Sequence, residues 1–197
     1  MNILELGHQE TKRSTLALAL LLLLATFAHP ANAEGFGVAV VSKMCGEAEM
    51  SLRCKPRIDG KLDCLHPLLI LKERSGHFSK MATPSGMEKY SPVGLACAVS
   101  SKEHDSYFVV EFGELPEGCE YCEWFHLYDK HGKLLTSSNP AIQTITGMES
   151  PRDKVPNNSD FTAFSKKLGL GMSKEEYLQC DGDPLDEKGK PTCFKEL

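Results

Sequence analysis

Ser106-Tyr107-Phe108-Val109-Val110-Glu111-Phe112-Gly113 is the stretch on which the fold turns. Aromatic and β-branched side chains crowd into it, and such residues fit a pleated, packed surface. It is the clearest strand signal in the chain. Val93–Ser100 before it and Glu123–Tyr128 after it read as further strands. Asp129-Lys130-His131-Gly132 then reads as a hairpin turn leading into Lys133–Ser137.

Upstream, Phe36–Met44 is rich in Val and Ala and reads as a strand. Asp59-Gly60 marks a hairpin within Glu49–Leu65, between Leu52 and Leu62. Leu68–Lys72 suits a buried strand, and Arg74-Ser75-Gly76 turns it toward His77–Met81. Residues 83–94, with Pro84, Gly86, Pro92 and Gly94, read as a loop, as do residues 138–159 with Pro140, Pro151 and Pro156. Ser159 is placed to cap a helix over Asp160–Leu168, with Phe161, Phe164 and Leu168 on one face and Gly169 ending it. Ser173 and Glu176 form a capping box for a short helix ending at Cys180. Strands come first and helices last, so the expected class is α+β: a mostly antiparallel sheet with hairpins, short helices near the C-terminus, and disulfides.

The N-terminus predicts export. Lys12 and Arg13 precede Thr15–Ala28, an apolar run of 14 residues. A bilayer span needs about 20. Ala31-Asn32-Ala33 has the small-x-small form of a cleavage site. Residues 1–33 are therefore expected to be a cleaved signal peptide. Residues 34–197 are expected to be one β-rich periplasmic or secreted domain, with a helical segment at about 159–180 and a polar tail. No stable membrane insertion is expected after cleavage. Asn157-Asn158-Ser159 is a glycosylation sequon in a eukaryotic host.

The cysteines agree with that address. Cys45, Cys54, Cys64, Cys97, Cys119, Cys122, Cys180 and Cys193 all follow the expected cleavage site, and their number is even. In an oxidising compartment they read as disulfides whose connectivity sequence does not determine. Short separation favours Cys180–Cys193, at about 3 kcal/mol on the chain-entropy model, and the tight pair Cys119–Cys122. Cys45, Cys54, Cys64 and Cys97 are left to pin N-terminal strands together.

Cys119-Glu120-Tyr121-Cys122 is also the spacing used in thiol–disulfide exchange, which needs a stabilised thiolate. Glu114, Glu117, Glu120 and Glu123 surround it and disfavour a further negative charge, so a structural disulfide is the stronger reading. His126 follows Cys122 by four residues, but no second C-x-x-C completes a zinc site. The tail from Asp181 has Leu185 and Thr192 where a calcium loop needs acids. No metal and no cofactor is expected.

Hydrolase signatures such as G-x-S-x-G and H-E-x-x-H do not occur, and no catalytic residue is assigned. His104-Asp105-Ser106 places three triad residue types side by side, but adjacent positions cannot align all three side chains. The formal charge of −5 argues against a nucleic-acid partner.

What stands out is an acidic ladder. Glu111, Glu114, Glu117, Glu120 and Glu123 recur every three residues and share a face in a three-per-turn extended chain. Glu114, Glu117 and Glu120, with Tyr121 or Trp124 as an aromatic anchor, are the expected contacts for a basic exported protein. The function expected from these features is a non-catalytic binding module, in its sharper form an inhibitor or immunity protein occluding a basic toxin enzyme or lysozyme. A redox protein using Cys119 and Cys122, and a surface or adhesive module, are the alternatives.

Overall fold

A computed structural model describes residues 33–60, 62–114, 123–145, 154–171, 174–178 and 194–196 of the 197-residue chain. The first sheet runs in sequence order through β1 (Val38–Cys45), β2 (Ala48–Pro56), β3 (Leu62–Lys72) and β4 (Phe78–Lys80). The second has the order β11-β10-β5-β6-β7, from β5 (Ser91–Val99), β6 (Ser106–Gly113), β7 (Trp124–Asp129), β10 (Glu175–Leu178) and β11 (Phe194–Glu196). Every pairing in both sheets is antiparallel.

β6 shows why this stretch governs the architecture. It lies between β5 and β7, with Phe108 opposite Cys97 on one side and Tyr128 on the other. Side chains alternate across a strand. Phe108, Val110 and Phe112 enter a core shared with Met50, Leu52 and Leu71 of the first sheet. Tyr107 and Val109 face the other way, into a second cluster with Ala96, Ala98, Leu127 and Leu168. Burial on both faces explains a nearly continuous apolar run in place of strict alternation.

The second cluster is covered by α1 (Ser159–Leu168). Phe161 meets Phe125 with ring centroids 5.4 Å apart, and Phe164 and Leu168 pack on the same side. Gly169 ends the helix in the left-handed region at φ 62°, as glycine permits. Asn158, not the expected Ser159, occupies the position before the helix. Its side chain makes no cap. It accepts from Phe125 N–H at 2.8 Å and donates to the Glu123 carbonyl at 2.7 Å, tying the helix start to β7.

Two disulfides lock the sheets. Cys45–Cys97 joins β1 to β5 and so crosses from one sheet to the other, while Cys54–Cys64 staples β2 to β3. The four N-terminal cysteines therefore pin strands as expected. Both bonds fit an oxidising environment. Cys119, Cys122, Cys180 and Cys193 lie outside the described residues, as does the expected signal peptide up to Asn32. No helix among the described residues is long and apolar enough to cross a membrane.

Three local expectations are corrected. The second helix, ending at Cys180, is not formed over its described part: Glu175–Leu178 is β10, zipped onto β5 with Glu175 opposite Ala96. The capping pattern is outweighed by the backbone partners that the open edge of β5 offers. The expected loop at 138–159 contains a small antiparallel pair, β8 (Ile142–Thr144) with β9 (Lys154–Pro156). Lys133–Ser137 is not a strand. It touches β7 through one bridge, Leu134 to Tyr128, and the Thr136 side chain takes the next ladder position by accepting Leu127 N–H at 2.9 Å.

Candidate functional site

Alternate strands run in opposite directions, so the two ends of the sandwich carry different connections. At one end four turns converge: Gly46-Glu47, Glu73-Arg74-Ser75, His104-Asp105 and Lys130-His131. They enclose a cleft of about 410 Å³. Both of its fixed cations are paired, while among the described residues Glu73 accepts only from the Ser75 hydroxyl at 3.4 Å. Arg74 pairs with Glu47, and Lys130 pairs with Asp105 at 2.8 Å. The Asp105 carboxylate beside Lys130 raises that ammonium's pKa. His104 sits at φ 59°, and no hydrogen bond links the side chains of His104, Asp105 and Ser106. The triad-like triplet is the end of the β5–β6 connection and the first residue of β6.

The other end holds the root of the acidic segment. Glu114 leaves β6 half-buried, and exposed Glu123 enters β7 at φ 77°. Glu117, Glu120 and Tyr121 lie outside the described residues. Trp124, expected as a partner contact, is 0% exposed. Its ring stacks on Tyr90 at 4.1 Å, and its indole N–H donates to the Ala141 carbonyl at 2.7 Å. This corrects the assignment: the indole's area and its single donor are both used inside the protein, so a partner cannot reach it. Burial, with the Glu114 charge nearby, raises the Tyr90 phenol pKa. Glu111, the first rung of the ladder, is buried on β6 and separates from the surface rungs.

His126 is the group that sequence inspection passed over as a site. It shares the inward face of β7 with Trp124 and Tyr128, and it stands edge-on to Phe112 at 5.4 Å. Thr136 Oγ1 lies 3.4 Å from Nδ1, and Ser138 Oγ lies 3.3 Å from Nε2. Thr136 Oγ1 already accepts from Leu127 N–H, and Ser138 Oγ–H already donates to the Asn157 carbonyl at 2.8 Å. These commitments favour one arrangement. Thr136 donates to Nδ1, and Nε2–H donates to Ser138.

Burial pushes the imidazole down to about 4, against the opposing influence of the Thr136 backbone and the Asp160 carboxylate. A neutral ring bonded at both nitrogens and sealed from solvent is a strut. It ties β7 to residues 136–138 and to Asn157. The alternation in Trp124-Phe125-His126-Leu127-Tyr128, which puts the histidine on the tryptophan's side, is the signal that could have found it.

Among the described residues no group of three or more His, Cys, Asp or Glu side chains is arranged to hold a metal ion. No protein-family model, no curated protein and no solved structure matches the chain.

Proposed function

We propose that the chain is a non-catalytic binding module, exported to the periplasm or secreted, that engages a basic partner protein through the acidic segment between β6 and β7. The sharper form is an inhibitor or immunity protein occluding the cleft of a basic toxin enzyme or lysozyme. The observation that carries this reading is the rigid root of that segment. Its two ends leave adjacent strands of a disulfide-crossed sandwich, with Trp124 buried next to Glu123. The charge of an acidic segment raises the association rate for a basic partner. Glu114, Glu117 and Glu120 supply that charge, and Tyr121 replaces Trp124 as the aromatic contact.

The test is capture of exported proteins on the disulfide-bonded chain at moderate salt, followed by reversal of Glu114, Glu117 and Glu120 to Lys. A partner whose binding weakens with salt and is lost on reversal supports the proposal. A partner insensitive to both, or none at moderate salt, overturns it. Counting thiols on the folded protein tests the redox alternative, which requires Cys119 and Cys122 to be reducible and reactive.

A further inference from the structure

A second concavity, of about 280 Å³, opens at the same end of the sandwich as the acidic segment but on the side of β3 and β4. Its floor is apolar, with buried Met81 and Phe112 and half-buried Tyr90. Its rim carries Lys55 of β2, His66 of β3 and Lys80 of β4, all exposed. No carboxylate is among the described residues that line it. Asp63 is the cross-strand neighbour of Lys55, yet its carboxylate accepts from Leu65 N–H at 3.1 Å, and neither Lys55 nor Lys80 forms an ion pair among the described residues.

In a chain of net charge −5, a concave apolar surface whose rim carries two lysines without an ion pair among the described residues is a selective feature. Its electrostatic complement is an anion, and its floor is the complement of an apolar body. The volume lies near the lower bound of small-ligand sites, roughly 300 Å³, which favours a short ligand over a long-chain lipid. The lysines are point charges on flexible stems and accept any single anionic head within reach.

We infer that this cleft binds a small amphipathic anion, its head between Lys55 and Lys80 and its apolar body over Met81, Phe112 and Tyr90. The Glu114 charge reaches the cleft's Tyr90, but the inference does not depend on the acidic segment docking a partner.

Tyr90 supplies the readout, because it lines the cleft and stacks on Trp124, the single tryptophan of the chain. Decanoate is titrated into the disulfide-bonded protein below its micellar range, followed by tryptophan fluorescence and calorimetry. Decanol, which has the tail without the charge, and acetate, which has the charge without the tail, are run alongside. Decanoate is expected to bind saturably, with decanol and acetate weaker by about tenfold or more. Reversing Lys55 and Lys80 to Glu is expected to weaken decanoate by about tenfold or more, and the milder Lys55→Gln, Lys80→Gln pair by less. Arg74→Glu, in the opposite cleft, is expected to leave the affinity unchanged.

Equal affinity for decanol and decanoate overturns the inference, as does indifference to both lysine pairs in variants whose circular dichroism matches the parent. Binding to phosphatidylglycerol vesicles without binding to decanoate also overturns it, because it would assign the lysines to a membrane surface.

Discussion

The two ends of the sandwich are built from the same strands and treat charge in opposite ways. At the turn end, Arg74 and Lys130 face Glu47 and Asp105 across the cleft and neutralise one another. At the other end, Lys55 and Lys80 stand on the rim of a cleft with no carboxylate among its described lining residues, while Glu114, Glu117, Glu120 and Glu123 follow one another between β6 and β7 in sequence. At the turn end both cations are matched within the chain. At the other end Lys55 and Lys80 have no ion pair among the described residues, which is why the proposed anion is placed there. A larger cleft is therefore not the better candidate site for an anion here; the one whose lysines are unpaired among the described residues is.

The largest expected effect comes from the root of the open end. Trp124→Ala removes a fully buried indole, its stack on Tyr90 and the hydrogen bond to Ala141. It should destabilise by about 4 kcal/mol, read from denaturant midpoints at unchanged slope. Trp124→Phe should lose less and retain decanoate binding; if both substitutions are tolerated equally, the root is not what holds this end.

Next come the crosslinks. Replacing Cys45 and Cys97 opens a loop of sequence separation 52, against 10 for Cys54 and Cys64. The chain-entropy model gives about 4 kcal/mol for the first pair and about 3 for the second. Losing the inter-sheet bond should loosen both ends, whereas losing the β2–β3 staple should weaken the open end alone, because Lys55 follows Cys54. Hydrogen exchange at the turn end separates the two outcomes.

The third effect is a pH dependence. The folded His126 imidazole sits at about 4, below its ordinary 6.5. Between those values the unfolded chain binds a proton that the folded chain refuses, so stability falls as pH falls. The total loss by pH 4 is about 3 kcal/mol from this residue, and none appears above pH 7. Stability measured from pH 7 down to 5, where carboxylates contribute little, should slope in the parent and flatten in His126→Gln. Equal slopes would show that the strut does not control acid stability.

The smallest effect belongs to the turn end. Arg74 and Glu47 are both largely exposed, so Arg74→Ala should change stability by about 0.5 kcal/mol or less. A larger loss would mean that the turn cluster is held by its charges and not by the strands beneath it.

Much of the sandwich was legible from local signals. Ser106–Gly113, the Asp59-Gly60 hairpin and the Phe161, Phe164, Leu168 helix face all appear where residue pattern placed them. Each is decided by neighbours close in sequence. β10 was not legible, because an amphipathic segment with a capping pattern becomes a strand only when β5 presents an unpaired edge. Trp124 was legible as the aromatic beside the acidic ladder but not as core, since its burial depends on Tyr90 and Ala141 arriving from distant segments.

Sequence alone determined the strand-rich class, the net negative charge, the acidic spacing and the group of four cysteines that pin the first strands. These follow from composition and from periodicity along the chain. Only tertiary structure decided that Cys45 meets Cys97 across two sheets, that His126 is a neutral strut, and that Lys55 and Lys80 share a cleft. Each of those depends on residues far apart in the chain meeting after the sheets pack, a distance that no local pattern encodes.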